Sequence, residues 1–365
     1  MGVILKVLVF SGLFPTASNE SAGAFITRRL TALQNTDVDF DAIVIDFFDS
    51  SFASIVRRLL RRGAGRQKKD LLAVERSKEF PFNLYKYISL EKRVIDYAFK
   101  RCRDMKAEAA IDAWVTGSID IIHAHWVDPN GYLAVRTGKK HGIPVVVTAH
   151  GSDIHTNASK SRSSLKRTLF TLENASKVIF VSKALKRAAM DFGYSGKNSI
   201  VIPNGIDSKM IEQVSKDKSI RNPIGCERPS VVGFVGNLVP VKRADKLPMI
   251  FSKIREYENV QFVVLGDGDL RSSIENQCID MGLEVNFVGR VAPDEVPDFM
   301  NLMDVMVLPS RNEGWPCVVL EAQACGVPVV GSDNGGIPEA IGEGGSVVPD
   351  GENFEKDSRR QLLRF

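Results

Sequence analysis

The chain has 365 residues, more than one hydrophobic core usually supports, so two domains are expected. Its 44% apolar and 25% charged residues describe an ordinary globular protein, and no run reaches the ~18 apolar residues of a bilayer crossing. The net charge of +4 is too small to imply nucleic acid. The five scattered cysteines, without a Cys-x-x-Cys pair or a cysteine–histidine cluster, indicate neither a zinc site nor a disulfide framework and fit a reducing cytoplasm.

Residues 3–10, Val-Ile-Leu-Lys-Val-Leu-Val-Phe, are interrupted by Lys6 and lack the basic start and small-residue cleavage site of a signal peptide, so a first core strand is expected. From there short apolar runs alternate with amphipathic ones. Strands are predicted at 5–10, 42–47, 119–123, 145–150, 178–182 and 200–203, then at 231–236, 262–266, 285–288, 305–309, 327–332 and 346–348. Helices fill the intervals, for example 24–33, 94–105, 185–190, 270–278 and 318–325. Most strand runs are continuous Val, Ile, Leu and Phe rather than alternating, the mark of strands buried on both faces of a parallel sheet. Strand and helix in alternation make the fold class α/β.

A polar stretch at 208–229 interrupts this rhythm, which divides the chain into a domain at 1–204, a linker at 205–229, a second domain at 230–350 and a polar tail at 351–365. Residues 57–69, from Arg57 to Lys69, hold seven cations and no anion behind Phe52, Ile55 and Val56. This segment either lies on an anionic membrane surface or forms a solvated loop.

Residues 313–321 read Glu-Gly-Trp-Pro-Cys-Val-Val-Leu-Glu. Glu313 is expected on the loop after a strand and Glu321 one to two turns into the next helix, where ligands bind in an open parallel sheet. Ionised carboxylates accept paired hydrogen bonds from vicinal hydroxyls, so this pair suits a polyol. A second element, Phe234-Val-Gly-Asn-Leu-Val-Pro-Val-Lys-Arg243, reads as a strand, a glycine-containing turn and a helix opening near Lys242. Turn amides, a helix dipole and a lysine ammonium make an anion site there, or the turn is a plain connection with an exposed lysine.

Val147-Thr-Ala-His-Gly-Ser-Asp153 puts His150 at a strand's carboxyl end, followed by a glycine that lets a ligand approach. The alternative is a histidine that satisfies a loop carbonyl. Asp153 either orients the imidazole or acceptor, or caps a helix. His123 and His125 alternate along a strand end without a third ligand at metal spacing, so packing or cleft lining is expected. Gly266-Asp-Gly-Asp269 carries Asp-x-Asp and Gly-x-Gly, but its place between strand and helix makes Asp269 a helix cap, and the dinucleotide fingerprint lacks its third glycine. No Walker motif or Gly-x-Ser-x-Gly elbow is present.

The Glu-x7-Glu element, the 236–243 turn, His150 and Pro203-Asn-Gly-Ile-Asp207 occur in the order of family 4 retaining glycosyltransferases, which the chain resembles from the 15–23 loop to Pro349. The resemblance implies a GT-B fold: two Rossmann-like domains with parallel sheets facing across a cleft, nucleotide on the C-terminal half and acceptor on the N-terminal half. It implies a metal-independent hexosyltransferase that moves a sugar from a nucleoside diphosphate sugar to a hydroxyl with retention, through an oxocarbenium-like transition state. His150, Glu313 and Lys242 are the catalytic residues it implies. Gly236, Asn237, Lys242, Arg243, Glu313, Gly314, Trp315, Pro316 and Glu321 would bind the donor, with Glu321 on the ribose. Gly23, Asp153 and Asn204 would serve the acceptor and cleft.

Two positions depart from the family pattern. In the family an arginine is common where Asn237 stands, and the neutral hydrogen bonds of an asparagine are worth ~1 kcal/mol less than charge-assisted ones. Arg243, where relatives often have glycine, is expected to compensate. Relatives also carry further C-terminal helices that brace the first domain, so a loosely hinged protein, or a catalytically impaired partner subunit that only binds nucleotide sugar, is the alternative to an active enzyme. A Rossmann oxidoreductase is a weaker rival. The expected partners are a nucleotide sugar and a glycan or lipid-linked acceptor of cell-surface polysaccharide or glycolipid synthesis, with no cofactor, no metal and no nucleic acid. The expected location is cytoplasmic, peripheral on the inner face of the membrane.

Overall fold

The structure, a computed structural model, describes residues 4–13, 23–33, 36–49, 84–92, 100–115, 118–206, 230–255, 260–351 and 353–364. The basic segment Arg57–Lys69 and most of the expected linker lie outside the described residues. The chain forms two compact units, one of Met1–Val181 with Lys186–Ile202, the other of Pro203–Phe365 with Ser182–Leu185.

The first unit runs β1 (Leu5–Ser11), α1 (Ala24–Leu33), β2 (Val38–Asp49), β3 (Leu84–Lys92), α2 (Lys100–Asp112), β4 (Ile121–His125), α3 (Tyr132–His141), β5 (Val145–Ala149), α4 (Arg162–Asn174), β6 (Lys177–Phe180), α5 (Lys183–Asp191) and β7 (Ser199–Val201). Its seven strands lie in the order β3-β2-β1-β4-β5-β6-β7, every pairing parallel. Val7, Val9, Phe40, Ala42 and Val44 meet Ile26 and Leu30 of α1 in one buried cluster.

The second unit runs β8 (Ser230–Val235), α6 (Leu247–Arg255), β9 (Val260–Leu265), α7 (Arg271–Asp280), β10 (Val285–Gly289), α8 (Val296–Asn301), β11 (Val305–Leu308), α9 (Cys317–Ala324), β12 (Val329–Ser332), α10 (Ile337–Ile341), β13 (Gly345–Val348) and α11 (Phe354–Leu362). Its six parallel strands lie in the order β10-β9-β8-β11-β12-β13. The central strand β11, Val-Met-Val-Leu, is buried at every residue, and its alternate side chains enter two separate clusters. Val305 and Val307 join Phe234, Phe251 and Phe262 on one face; Met306 and Leu308 join Met300, Val319 and Ile337 on the other. That two-sided burial is why the strand reads as an unbroken apolar run.

Four expectations need correction. Strand β3 is not among the predicted ones, because Lys86, Glu91 and Lys92 dilute its apolar pattern; among the described residues it is an edge strand, paired on one side only, and such a strand tolerates them. The strand predicted at 119–123 is Ile121–His125, so both histidines belong to it. The helix predicted at 94–105 is described from Lys100 and continues to Asp112. The polar tail is the helix α11: Phe354, Ser358 and Leu362 recur every four residues and are buried, so one stripe of a charged sequence packs on α6.

Candidate active site

In an open parallel sheet, ligands gather at the carboxyl ends of the strands where the strand order reverses. That reversal falls between β8 and β11 in the second unit and between β1 and β4 in the first. The strongest sequence elements follow β8 and β11, and the histidines end β4 and follow β5.

In the second unit the β8 turn and the β11 loop are joined directly. The Arg311 amide donates to the Val241 carbonyl at 2.9 Å, and Lys242 Nζ donates to Glu313 Oε1 at 2.5 Å with both side chains largely buried. The turn needs glycine at its back: a Cβ on Gly266 would lie 2.1 Å from the Gly236 carbonyl oxygen, and one on Gly268 2.4 Å from that of Leu238. Close backbone approach therefore explains the Gly-x-Gly at 266–268. Asp269 does not cap α7 as expected: Leu270 holds the N-cap position without a side-chain cap, while Asp267 Oδ1 accepts from the Gly268 amide at 2.7 Å. Among the described residues no three His, Cys, Asp or Glu side chains are grouped to hold a metal ion.

The Glu313 loop is backed by Gly335-Gly336. The Gly336 amide donates to the Glu313 carbonyl at 2.8 Å, and a Cβ on either glycine would fall 2.2–2.3 Å from the carbonyl oxygen of Glu313 or Gly314. Trp315 Nε1 donates to the Asn204 carbonyl at 2.9 Å, so two predicted residues far apart in sequence meet in this unit. Pro316 has no N–H and so offers no amide to a ligand; it stands at the N-cap of α9, with Glu321 partly buried in the next turn. Gly236 is partly buried and Asn237 is exposed on the β8 turn.

Arg243 is placed otherwise than expected. Its φ of 50° is the left-handed conformation that glycine adopts freely. Its guanidinium bonds Asp350 Oδ1 at 2.6 Å and lies 5.0 Å from the Phe354 ring centre, so these contacts turn it toward α11. Asp350 is held below the usual carboxylate range by hydrogen bonds from Asn334 and Arg243.

In the first unit His123, His125 and His150 form a stacked row, with ring centres 4.5 Å apart for His123–His125 and 5.2 Å for His125–His150. His125 Nδ1 and His150 Nε2 are 3.0 Å apart, and His123 Nε2 lies 2.8 Å from Thr148 Oγ1. Phe25 and Trp126 each lie 4.9 Å from the His150 ring. Burial, helped by the nearby charge of Arg29, keeps all three imidazoles neutral, with His123 lowered to about 4 and the other two well below their ordinary value. Asp153 is fully buried and accepts from the amides of Val127, His150 and Gly151 at 2.8–3.3 Å; burial still raises its carboxyl. It therefore fixes the main chain after β4 and β5 rather than orienting an imidazole. Ser152, not Asp153, precedes the helical turn Asp153–Asn157. Gly23, at φ 71°, begins α1 through its carbonyl, which accepts from the Ile26 amide at 2.8 Å.

The chain matches the Glycosyltransferase Family 4 model over residues 53–209 and the Glycosyl transferases group 1 model over residues 216–362. It is 30% identical over 308 residues to an uncharacterised glycosyltransferase of Methanocaldococcus jannaschii, 80% of this chain and 82% of that one. The chain belongs to the family 4 glycosyltransferases. It is also 28% identical over 348 residues to TuaC of Bacillus subtilis, named as a glycosyltransferase of teichuronic acid biosynthesis, covering 93% of this chain and 84% of that one. Among solved structures, HepE of Anabaena in complex with UDP superposes with a TM-score of 0.66 at 20% identity, covering 99% of this chain and 89% of that one. At that identity the likeness shows the fold, which is GT-B.

Seen as a family 4 chain, the sequence reading located both strand-end loops of the second unit and missed what supports them. Gly335-Gly336 carried a visible signal, a glycine pair after an apolar strand. Asp350 carried none, because its role depends on Arg243, 107 residues away.

Proposed function

We propose that the protein transfers a hexose from a nucleoside diphosphate sugar to a hydroxyl of a glycan or lipid-linked acceptor, with retention and without a metal ion. The observation that carries this reading is the Lys242–Glu313 pair at the switch point of the second sheet: one cation for a diphosphate beside one carboxylate for sugar hydroxyls. As the glycosidic bond breaks, charge grows on the leaving diphosphate, and its stabilisation falls to Lys242 and the Asn237 amide, the Gly236 amide being given to the Leu265 carbonyl. Glu313, with the amides of Gly314 and Trp315, holds the transferred sugar, Glu321 the ribose, and His150 an oxygen near the reacting carbon. The relation to TuaC favours a glycan acceptor and membership in polysaccharide synthesis. Residues 57–69, with seven cations and no anion, are proposed as a peripheral contact with anionic lipid, testable by vesicle co-sedimentation.

The deciding experiment incubates the protein with a panel of nucleotide sugars and candidate acceptors, and measures released nucleoside diphosphate together with the anomeric configuration of the product. Release with retention, undiminished by EDTA, is expected. Inversion, loss on chelation restored by magnesium or manganese, or donor binding without turnover across the panel would each overturn the corresponding part.

A further inference from the structure

Lys242 and Arg243 are neighbours in the chain and reach different loops. Two single helical turns, Pro240–Lys242 and Ala244–Lys246, meet at Arg243, whose φ of 50° and ψ of 35° redirect the chain between them. From that junction Lys242 Nζ reaches Glu313 on the loop after β11. The Arg243 guanidinium instead reaches Asp350 Oδ1, 2.6 Å away beyond the end of β13, and the ring of Phe354 in α11. Lys246, three residues on, meets Glu355 of α11 at 2.6 Å. A residue with a Cβ keeps the left-handed conformation only where its surroundings over-determine it, and the buried contacts of Arg243 supply that.

Asp350 is shared with the neighbouring loops. Its Oδ2 accepts from Asn334 Nδ2 at 3.1 Å, and its amide donates to Asp333 Oδ1 at 2.9 Å. Asn334 Nδ2 also lies 3.4 Å from the Ser310 carbonyl, to which Ser332 Oγ donates at 2.5 Å. The next residue, Arg311, gives its amide to the Val241 carbonyl at 2.9 Å. These bonds close a circuit from the β8 turn through the ends of β13, β12 and β11 and back to the turn. The Lys242–Glu313 pair joins two of the loops in that circuit. A lysine ammonium is a point charge on a flexible stem, so where it acts depends on how firmly its own backbone is held.

We infer that Arg243 and Asp350 are positioning residues: their ion pair anchors the β8 turn so that Lys242 is aimed at the diphosphate, and it makes α11 part of the support of the site. The role of Lys242 rests on the transferase reading above; the anchoring of its turn does not.

The test uses the full chain and places the substitution 107 residues from the turn, so that the sequence of the turn is unaltered. Asp350→Ala removes both carboxylate acceptors, whereas Asp350→Asn keeps an oxygen for Arg243. The amides of Lys242, Arg243 and Lys246 bond the carbonyls of Val239, Pro240 and Arg243. Their hydrogen exchange should quicken by about threefold or more in Asp350→Ala and by less than about twofold in Asp350→Asn, with the amides of β8 and β11 unchanged. Turnover should fall about fivefold in the Ala variant, with KM for the nucleotide sugar within about twofold, and recover in the Asn variant. In a Lys242→Ala background Asp350→Ala should cost nothing further, because it acts through Lys242. Arg243→Gly, which removes the anchor and still permits the left-handed backbone, should match Asp350→Ala and reads the same contact if that variant fails to fold. Unchanged exchange in the turn of a folded Asp350→Ala overturns the inference. So does a loss of turnover that is the same with and without Lys242. Exchange needs no substrate, so a chain that transfers no sugar from any donor would sink the transferase reading while the anchor is still decided by exchange.

Discussion

The strand ends of β4 and β5 and those of β8 and β11 hold polar groups by opposite means. After β8 and β11 the groups are charged and paired: Lys242 with Glu313, Arg243 with Asp350. After β4 and β5 the imidazoles are neutral and Asp153 is taken up by three main-chain amides, while the charged pair there, Asp128 with Arg167, ties the turn after β4 to α4. A doubly charged leaving group needs a cation that is present before it arrives, whereas a sugar hydroxyl is met by neutral donors that do not have to be stripped of water first. On the proposed function, the loops of the second unit would recognise charge and those of the first unit neutral hydroxyls.

The largest effect is expected on the charged side. Lys242→Ala should lower kcat by roughly 10²–10³-fold, since the interaction strengthens as the diphosphate leaves. Steady-state release of nucleoside diphosphate measures it, and a silent Lys242→Ala would place the phosphate elsewhere.

Acidification separates the regions next. The histidines have folded pKa values below their ordinary value, so the stability they confer is present above about pH 6.5 and is lost as pH falls through the lowered pKa, about 4 for His123. That shift corresponds to about 3 kcal/mol for His123. Asp153, raised by burial, works in the other direction: its contribution is fully present at acid pH and lost as pH rises through its raised pKa. Chemical denaturation between pH 7 and 4 should therefore show the first unit weakening, and replacement of His123 by Gln should flatten the curve. A steeper curve in that variant would contradict the assignment.

Glu321→Ala should weaken nucleoside diphosphate binding by about tenfold or more, the worth of a partly buried carboxylate accepting two ribose hydroxyls. Calorimetry reads this directly, and unchanged affinity in a folded variant removes Glu321 from the site. The smallest effect belongs to Asp350→Asn. Asp350 is more than a third exposed, so its pair with Arg243 is screened and should contribute under about 1 kcal/mol. Its folded pKa is lowered, so the loss should be seen above pH 3.8 and vanish below the folded value. Melts of variant and parent at pH 7 and pH 3 give the comparison.

Much of this was legible locally. Unbroken apolar runs such as Val-Met-Val-Leu at 305–308 announced strands covered on both faces, and the parallel sheets follow from that. Glu313, Lys242 and His150 were legible because each follows a strand at a glycine-marked turn. The tail at 351–365 was misread because composition is polar while burial follows spacing: a stripe of Phe354, Ser358 and Leu362 outweighs seven charges around it. The placement of Arg243 was not legible, because nothing in a sequence window shows that its backbone turns left-handed and its side chain meets Asp350.

Sequence by itself determined the fold class and the position of each candidate loop after its strand, since periodicity and turn chemistry act over a few residues. Tertiary structure alone decided which of those residues meet: Lys242 with Glu313 across 71 positions, Trp315 with Asn204 across 111, His125 with His150 across 25. The physical reason is strand order. β8 and β11 are neighbours in the sheet although β9 and β10 separate them in the chain, and β4 pairs with β5 in a register that sets His125 opposite Thr148 and brings it to His150.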